Sequence, residues 1–291
     1  MKKFFLILTL FLLTTLLAQN RFNHFGNWND FNDCFNYNGK PFLELIYGNA
    51  TVNHKNFIGN FDENGYLEFK VGYSDINFYD NILVQMDEKY FLLSKARPEL
   101  HYDFNSKSFT RYFKFLQIGV GKRSGFGYAA GVIKFIPFTS HNFAINNIKL
   151  IDNLIYLSTP LNYGKFREVA DQFDSGSYKF NYQSGAGVRL GIGKMINITG
   201  EYNFATVYPQ IKTWKLLGSF VIQHVTLNII SDFVDEIEFS SPEAMPIINF
   251  ILKTAINYSF YEFRKDGNTW PFTSEKPLSF EYLSFGITLT F

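Results

Sequence analysis

Residues Ser279 to Phe291, S-F-E-Y-L-S-F-G-I-T-L-T-F, alternate without a break. Successive side chains of a strand point to opposite faces, so Leu283, Phe285, Ile287, Leu289 and Phe291 share one face and Tyr282, Ser284, Gly286, Thr288 and Thr290 the other. An apolar face backed by a mostly polar one, ending on an aromatic, is the pattern of the strand that closes an antiparallel transmembrane β-barrel. The chain is therefore expected to be all-β.

Its opening residues agree. Lys2 and Lys3 form a basic region, Phe4 to Leu17 an apolar core, and Ala18 a small residue before Gln19, which together predict a signal peptide over 1–18. The core is too short to span as a stable helix, which favours removal. Leu16 stands three positions before the cut, so the cleavage point can move by a residue or two, and no cysteine follows to carry a lipid anchor. At the other end, Ser284, Gly286, Leu289 and Phe291 reproduce the spacing polar-x-Gly-x-x-apolar-x-aromatic. This resembles the β-signal read by the bacterial barrel-assembly machinery. The resemblance implies a bacterial outer-membrane β-barrel protein of a Gram-negative cell, in contact with outer-membrane lipids and engaged by that machinery during biogenesis. It implies no activity.

Composition narrows the alternatives. With 35 Phe and 18 Tyr the chain is rich in strand formers, yet its mean hydropathy is only −0.07. Beyond residue 18 there is no uninterrupted apolar run of about twenty residues, so no spanning helix is expected. Lys plus Arg number 27 against 26 Asp plus Glu, which leaves no basic footprint for nucleic acid. Cys34 is the only cysteine, so an internal disulfide is excluded and the thiol reads as a small apolar residue.

Residues 19–40 are crowded with Asn, Asp and Phe and show neither the strand nor the helix period, which predicts a loop-like leader. A calcium loop centred on Gly39 fails, because it would put Cys34 and Leu45 at ligand positions. Strand-like segments then recur over 41–291 and number about ten, within an expected even range of eight to twelve. Leu67, Phe69, Val71 and Tyr73 stand against Glu68, Lys70 and Gly72. Tyr178 to Ile192 and Ile196 to Phe204, separated by Gly193, Lys194 and Met195, predict a tight hairpin. One of its faces is aromatic far from the turn and aliphatic near it, as a lipid-facing surface requires. The other carries Lys179, Gln183, Arg189 and Glu201, with Arg189 opposite Thr199 and diagonal to Glu201.

Residues 207–250 break the pattern with helical spacing from Ile211 through Trp214, Leu217, Val221 and Val225, and Ser241-Pro242-Glu243 reads as a helix start. One or two helices are expected there, although β-branched Val221, Ile222, Val225, Thr226, Ile229 and Ile230 also suit a hairpin of strands. Such an insertion could plug the lumen, cap its mouth or dock a partner. Leu252 to Phe263 reads as a strand with Lys253, Asn257 and Ser259 on its polar face. If the last strand ends in the periplasm, this count puts the insertion on the periplasmic side and the short Gly193 turn outside.

The lumen candidates are thus Glu68, Lys70, Lys179, Gln183, Arg189, Glu201 and Lys253, which either fill a narrow barrel or line a pore. Chemistry is sparse. The five histidines lack metal-ligand spacing, no cofactor motif is present, and Ser140-His141-Asn142 are adjacent residues that cannot form a triad. Asp232, Asp235 and Glu236 read as a solvated face. The expected function is a non-enzymatic narrow channel, transport component or structural surface protein; the alternative is a hydrolase at the barrel rim, which needs Ser140, His141 or the acidic residues to converge.

Overall fold

A computed structural model describes residues 39–291 except 57–60, 79–81, 104–109, 154–159, 175, 211 and 274. The signal peptide and nearly all of the leader lie outside the described residues. The strands are β1 (Lys40–Asn53), β2 (Asn64–Phe78), β3 (Leu83–Arg97), β4 (Arg111–Ala130), β5 (Ile133–Asp152), β6 (Lys179–Ile192), β7 (Ile196–Val207), a two-residue pair β8 (Asn268–Thr269) and β9 (Phe272–Thr273), and β10 (Leu278–Thr290). All but β8 and β9 form one closed antiparallel barrel in the order β1-β10-β7-β6-β5-β4-β3-β2. Closure leaves no free strand edge. The seam joins the first strand to the last, from Phe42 opposite Thr290 to Asn53 opposite Ser279.

Eight strands, not about ten, make the wall. Alternation reads as three strand-like segments, Tyr112 to Gly121, Phe126 to Phe138 and one that starts at Phe143, where the structure has only two strands, β4 and β5, of 20 residues each. They turn at Gly131, whose φ of 60° suits a residue without a Cβ. Leu252 to Phe263 is not a strand but part of a helix.

That change reverses the assignment of ends. The turns β2–β3, β4–β5 and β6–β7 all lie at the end that holds Lys40 and Phe291: Gly193 N–H donates to Val132 O at 2.8 Å and Thr290 N–H to Met195 O at 2.8 Å. We call this the turn end. The connections after β1, β3, β5 and β7 lie at the other, the loop end, so the Gly193 turn and the chain's last residue share one side and the insertion departs from the opposite side.

Among the described residues three α-helices occupy the long connections: α1 (Pro160–Phe173), α2 (Thr213–Ser240) and α3 (Met245–Gly267). The insertion therefore extends well beyond 250. Ser241 to Ala244 form the turn that leads into α3, with Ala244 N–H donating to Ser241 O at 3.0 Å.

The interior is packed in layers. At the loop end Tyr66, Phe113, Phe115, Phe280 and Tyr282 stack beneath Phe166, Val169 and Phe173 of α1. Each large ring so removed from water contributes about 2 kcal/mol. At the turn end Val84, Met86, Ala129, Ile136 and Phe138 form a smaller cluster. Between the two lies a belt of charge. Large side chains fit there because their neighbours are small: a Cβ on Gly121 would strike Asn142 and the Tyr90 ring, and one on Gly185 would strike Asn203 and Ser140.

Candidate functional site

Alternation carries the belt's charges inward from six strands. Glu44 of β1, Glu68 and Lys70 of β2, Glu88 of β3, Arg123 of β4, Arg189 of β6 and Glu201 of β7 are all fully buried. Arg123 is the hub. Its Nη1 lies 3.0 Å from Glu44 and 3.2 Å from Glu88, and its Nη2 lies 2.8 Å from Glu201. Lys70 Nζ joins Glu68 at 3.1 Å and Glu201 at 3.2 Å, and Arg189 pairs with Glu88. Neutral donors complete the carboxylates: Ser140 donates to Glu201 at 2.6 Å, Thr288 to Glu44 at 2.9 Å and Tyr66 to Glu68 at 2.5 Å. The Arg123 guanidinium also sits over the Phe138 ring, 4.5 Å from its centroid. Buried charges persist only when paired and hydrogen-bonded, and these are.

The belt reaches across the lumen. Toward the loop end, Asn181 donates to Gln117 at 3.2 Å and Gln117 to Gln183 at 3.4 Å, beneath the aromatic layer. Ser140 is the hydroxyl that faces a belt carboxylate, Glu201, and Lys70 and Arg123 already engage that carboxylate. Ser140 points into the lumen, whereas His141 points out, its Nδ1 2.9 Å from the Tyr182 hydroxyl. The wall separates them. Asp232, Asp235 and Glu236 are exposed on α2. Among the described residues no His, Cys, Asp and Glu cluster could hold a metal ion.

A second polar array lies outside the barrel. Register aligns Lys122 with His141, His141 with Ser184, Ser184 with Phe204 and Phe204 with Glu281, all on outward faces. The α2–α3 hairpin covers this row. Side chains of α3 spaced four apart meet it in turn, as helix geometry allows. Lys253 lies with Lys122 and Asp87 in a crevice of about 210 Å³, which Asn249 and α2 residues Ser231 and Asp235 also line. Asn257 Nδ2 lies 3.5 Å from His141 Nε2, Tyr261 donates to Glu281 at 3.1 Å, and Lys265 lies 3.7 Å from Glu281. Between the helices Gln223 donates to Asn257 at 2.9 Å, and Arg264 donates to Ser219 while its guanidinium stacks on Phe220 and Tyr182.

At the loop end His54 donates from Nε2 to Lys276 O at 3.3 Å and accepts at Nδ1 from Asn56 N–H at 3.2 Å, with its ring edge-on to Phe173. Burial, with the Lys276 ammonium nearby, holds its pKa below the ordinary 6.5.

The structure thus brings Glu68, Lys70, Arg189 and Glu201 together and places Gln183 just above them. Arg189 does stand opposite Thr199, but its partners are Glu88 and Glu44 across the lumen. Lys179 sits at the loop-end rim and donates to Pro209 O at 3.3 Å. Lys253 is not in the lumen, because the segment that carries it is helical and lies outside the wall. Ser284 and Gly286 face inward, Leu289 outward, and Phe291 stands exposed past the last β10 pair. Glu44, Glu88 and Arg123 went unread, although Phe42-Glu44-Ile46, Met86-Glu88-Tyr90 and Gly121-Arg123 continue the alternation. Helix α1 was also missed; Pro160 at its first position, followed by Phe166, Val169, Ala170 and Phe173 at helical spacing, is its signal.

No protein-family model and no curated protein matches the sequence. Among solved structures, Neisserial surface protein A (NspA) is 9% identical, with a TM-score of 0.37, covering 86% of this chain and 97% of its own. Ail, the attachment invasion locus protein of Yersinia pestis, is 8% identical, with a TM-score of 0.31, covering 87% and 99%. Both are distant, and neither lends this chain a function.

Proposed function

We propose that this is a non-enzymatic outer-membrane β-barrel protein of a Gram-negative cell, with a filled lumen, acting as a structural or surface protein and not as a porin-like channel. The Arg123 belt carries this reading. A guanidinium bonded to Glu44, Glu88 and Glu201 ties the wall together across its own interior, in the space that a solute path would need. Outside, Leu45, Phe69, Phe91, Leu93, Ile118, Ile198, Phe285 and Ile287 form an exposed apolar surface of the kind that outer-membrane lipids cover. Glu68, Lys70, Gln183, Arg189 and Glu201 then serve to hold the barrel, with Lys179 at its rim. Ser284, Gly286, Leu289 and Phe291 serve as the signal for the barrel-assembly machinery, and the signal peptide directs export. The working surface is the loop end, where the long connections gather. The hydrolase alternative needs Ser140 and His141 together, and they lie on opposite faces of the wall, while the carboxylate beside Ser140, Glu201, is held by Arg123 and Lys70.

The test is electrophoresis of the detergent-purified protein, boiled and unboiled, with single-channel recording on the same sample. A mobility shift on boiling without conductance is the expected result. Steady unitary conductance would overturn the filled-lumen reading, and absence of any shift would overturn the barrel.

A further inference from the structure

We infer that the α2–α3 hairpin lies within the bilayer, and that lipid acyl chains cover the outer face of α2. This rests on the outer-membrane reading above and extends it, since the membrane-facing surface becomes part strand and part helix.

The hairpin runs from one rim of the wall to the other. It leaves the loop end beside Tyr208, whose ring packs on Phe180, and its connection reaches the turn end, where Tyr128 donates to Glu243 O at 2.5 Å. Its inner face is polar and matches a polar row on the wall. Left bare in hydrocarbon, His141 and Ser184 would each be costly. The hairpin covers them, while Lys122, exposed at its edge, pairs with Asp87 at 3.2 Å.

Its outer face is the reverse. Trp214, Leu217, Val221, Val225, Ile229 and Phe233 follow at spacings of three and four residues and are all exposed, Val225 by 49% and Ile229 by 61%. Thr213–Ile237 is long and apolar enough to cross a membrane. The expectation of no spanning helix was set by an uninterrupted run, which Lys215, Gln223, His224 and Asn228 break. Gln223 is accounted for, since it is buried against Asn257. The stretch from Trp214 to Ser231 rises about 27 Å, close to the ~30 Å of hydrocarbon in a bilayer. Trp214 and Lys215 mark one end and Asp232, Asp235 and Glu236 the other, as groups suited to the two interfaces. The wall beside the hairpin also exposes apolar side chains, Phe91 and Ile118 on β3 and β4, Ile198 and Phe285 on β7 and β10.

The experiment is nitroxide labelling in a Cys34→Ser background. Single cysteines are placed at Leu217, Val225 and Ile229, with Phe285 as wall control and Lys194 as turn control. The protein is refolded into phosphatidylethanolamine–phosphatidylglycerol vesicles, and each sample is first checked for its mobility shift on boiling. Labels at Val225 and Ile229 should collide with oxygen several-fold more than with a water-soluble nickel chelate, matching Phe285, and the Leu217 label covers the case in which either fails to fold. If they match Lys194 while Phe285 stays shielded, the hairpin lies in water and this inference fails with the barrel reading intact. If Phe285 itself matches Lys194, the outer-membrane reading fails. Spectral broadening at Val225 that vanishes on dilution with unlabelled protein would show a second copy on the stripe and overturn the lipid assignment.

Discussion

Arg123 Nη2 lies 2.8 Å from Glu201 Oε2, and the same guanidinium reaches Glu44 and Glu88 through Nη1. One cation thereby joins β4 to β1, β3 and β7 across the barrel. Arg123→Met should cost about 3–5 kcal/mol, because it strands buried carboxylates and does not merely delete a bond. Ser140→Ala, which removes one neutral donor, should cost only about 1 kcal/mol. Urea unfolding of the two variants in vesicles, followed by tryptophan fluorescence, measures the difference.

Phe280 packs edge-on against Phe113 at 5.3 Å and Phe115 at 5.6 Å. Phe280→Ala should lower stability by about 3–5 kcal/mol through the cavity it leaves. Planar bilayers should still show no conductance, since the charge belt below is untouched. Channel activity in this variant would mean that the aromatic layer alone seals the lumen.

Replacing the helical insertion with a short glycine–serine turn tests its place. Leu278 pairs directly with Val207, so β7 and β10 can be joined without strain on the wall. A plug inside the lumen would raise conductance when removed. With the hairpin outside, conductance should stay absent while the unfolding midpoint falls, because His141 and Ser184 lose their cover.

Gly48 stands opposite Ser284 at the seam, and a Cβ there would collide with the Leu283 carbonyl. Gly48→Ala should weaken β1–β10 pairing, shown by loss of the boiling-dependent mobility shift at a lower temperature than in the parent protein. Gly164→Ala, on α1 away from the seam and with open space around it, serves as the control.

His54 supplies a pH dependence at the loop end. Its folded pKa is lowered by burial, so the neutral form is the one that packs against Phe173 and Lys276. The unfolded histidine binds its proton first as pH falls, so stabilisation is complete above 6.5 and declines below it. The protection factor of the Asn56 N–H, which donates to His54 Nδ1, should fall as pH drops from 7.5 to 5.5, and His54→Gln should flatten that response.

Period-two alternation carried most of the barrel. Leu283 to Phe291 and the β6–β7 hairpin lie where alternation places them, down to Arg189 opposite Thr199. Errors arose where a local pattern was ambiguous. The first segment of β4 reads as ending at Gly121, but the glycines at 119, 121, 125 and 127 are inward positions kept small by atoms of the neighbouring strands, and ending the strand there hid Arg123. The segment Leu252 to Phe263 has polar residues that fit a strand over a few positions. Its longer period, Asn249, Lys253, Asn257, Tyr261 and Lys265, is that of a helix. The residue Lys253 was misplaced with it. Pairings across the lumen, such as Arg123 with Glu201, join residues 78 positions apart, and no local period reports them.

Placement of α2 and α3 outside the wall separates two events in time. No part of the hairpin passes through the ring, and its roots at Val207 and Leu278 are neighbours, so β10 can zip against β7 and β1 before or after the helices dock. The charge belt has no such freedom. Glu44, Glu68, Lys70, Glu88, Arg123, Arg189 and Glu201 arrive on different strands and must shed water together as the last strand comes home. Ring closure is thus the step at which the buried ions are committed, while the helical cover can be laid down, or lifted, on a barrel that is already complete.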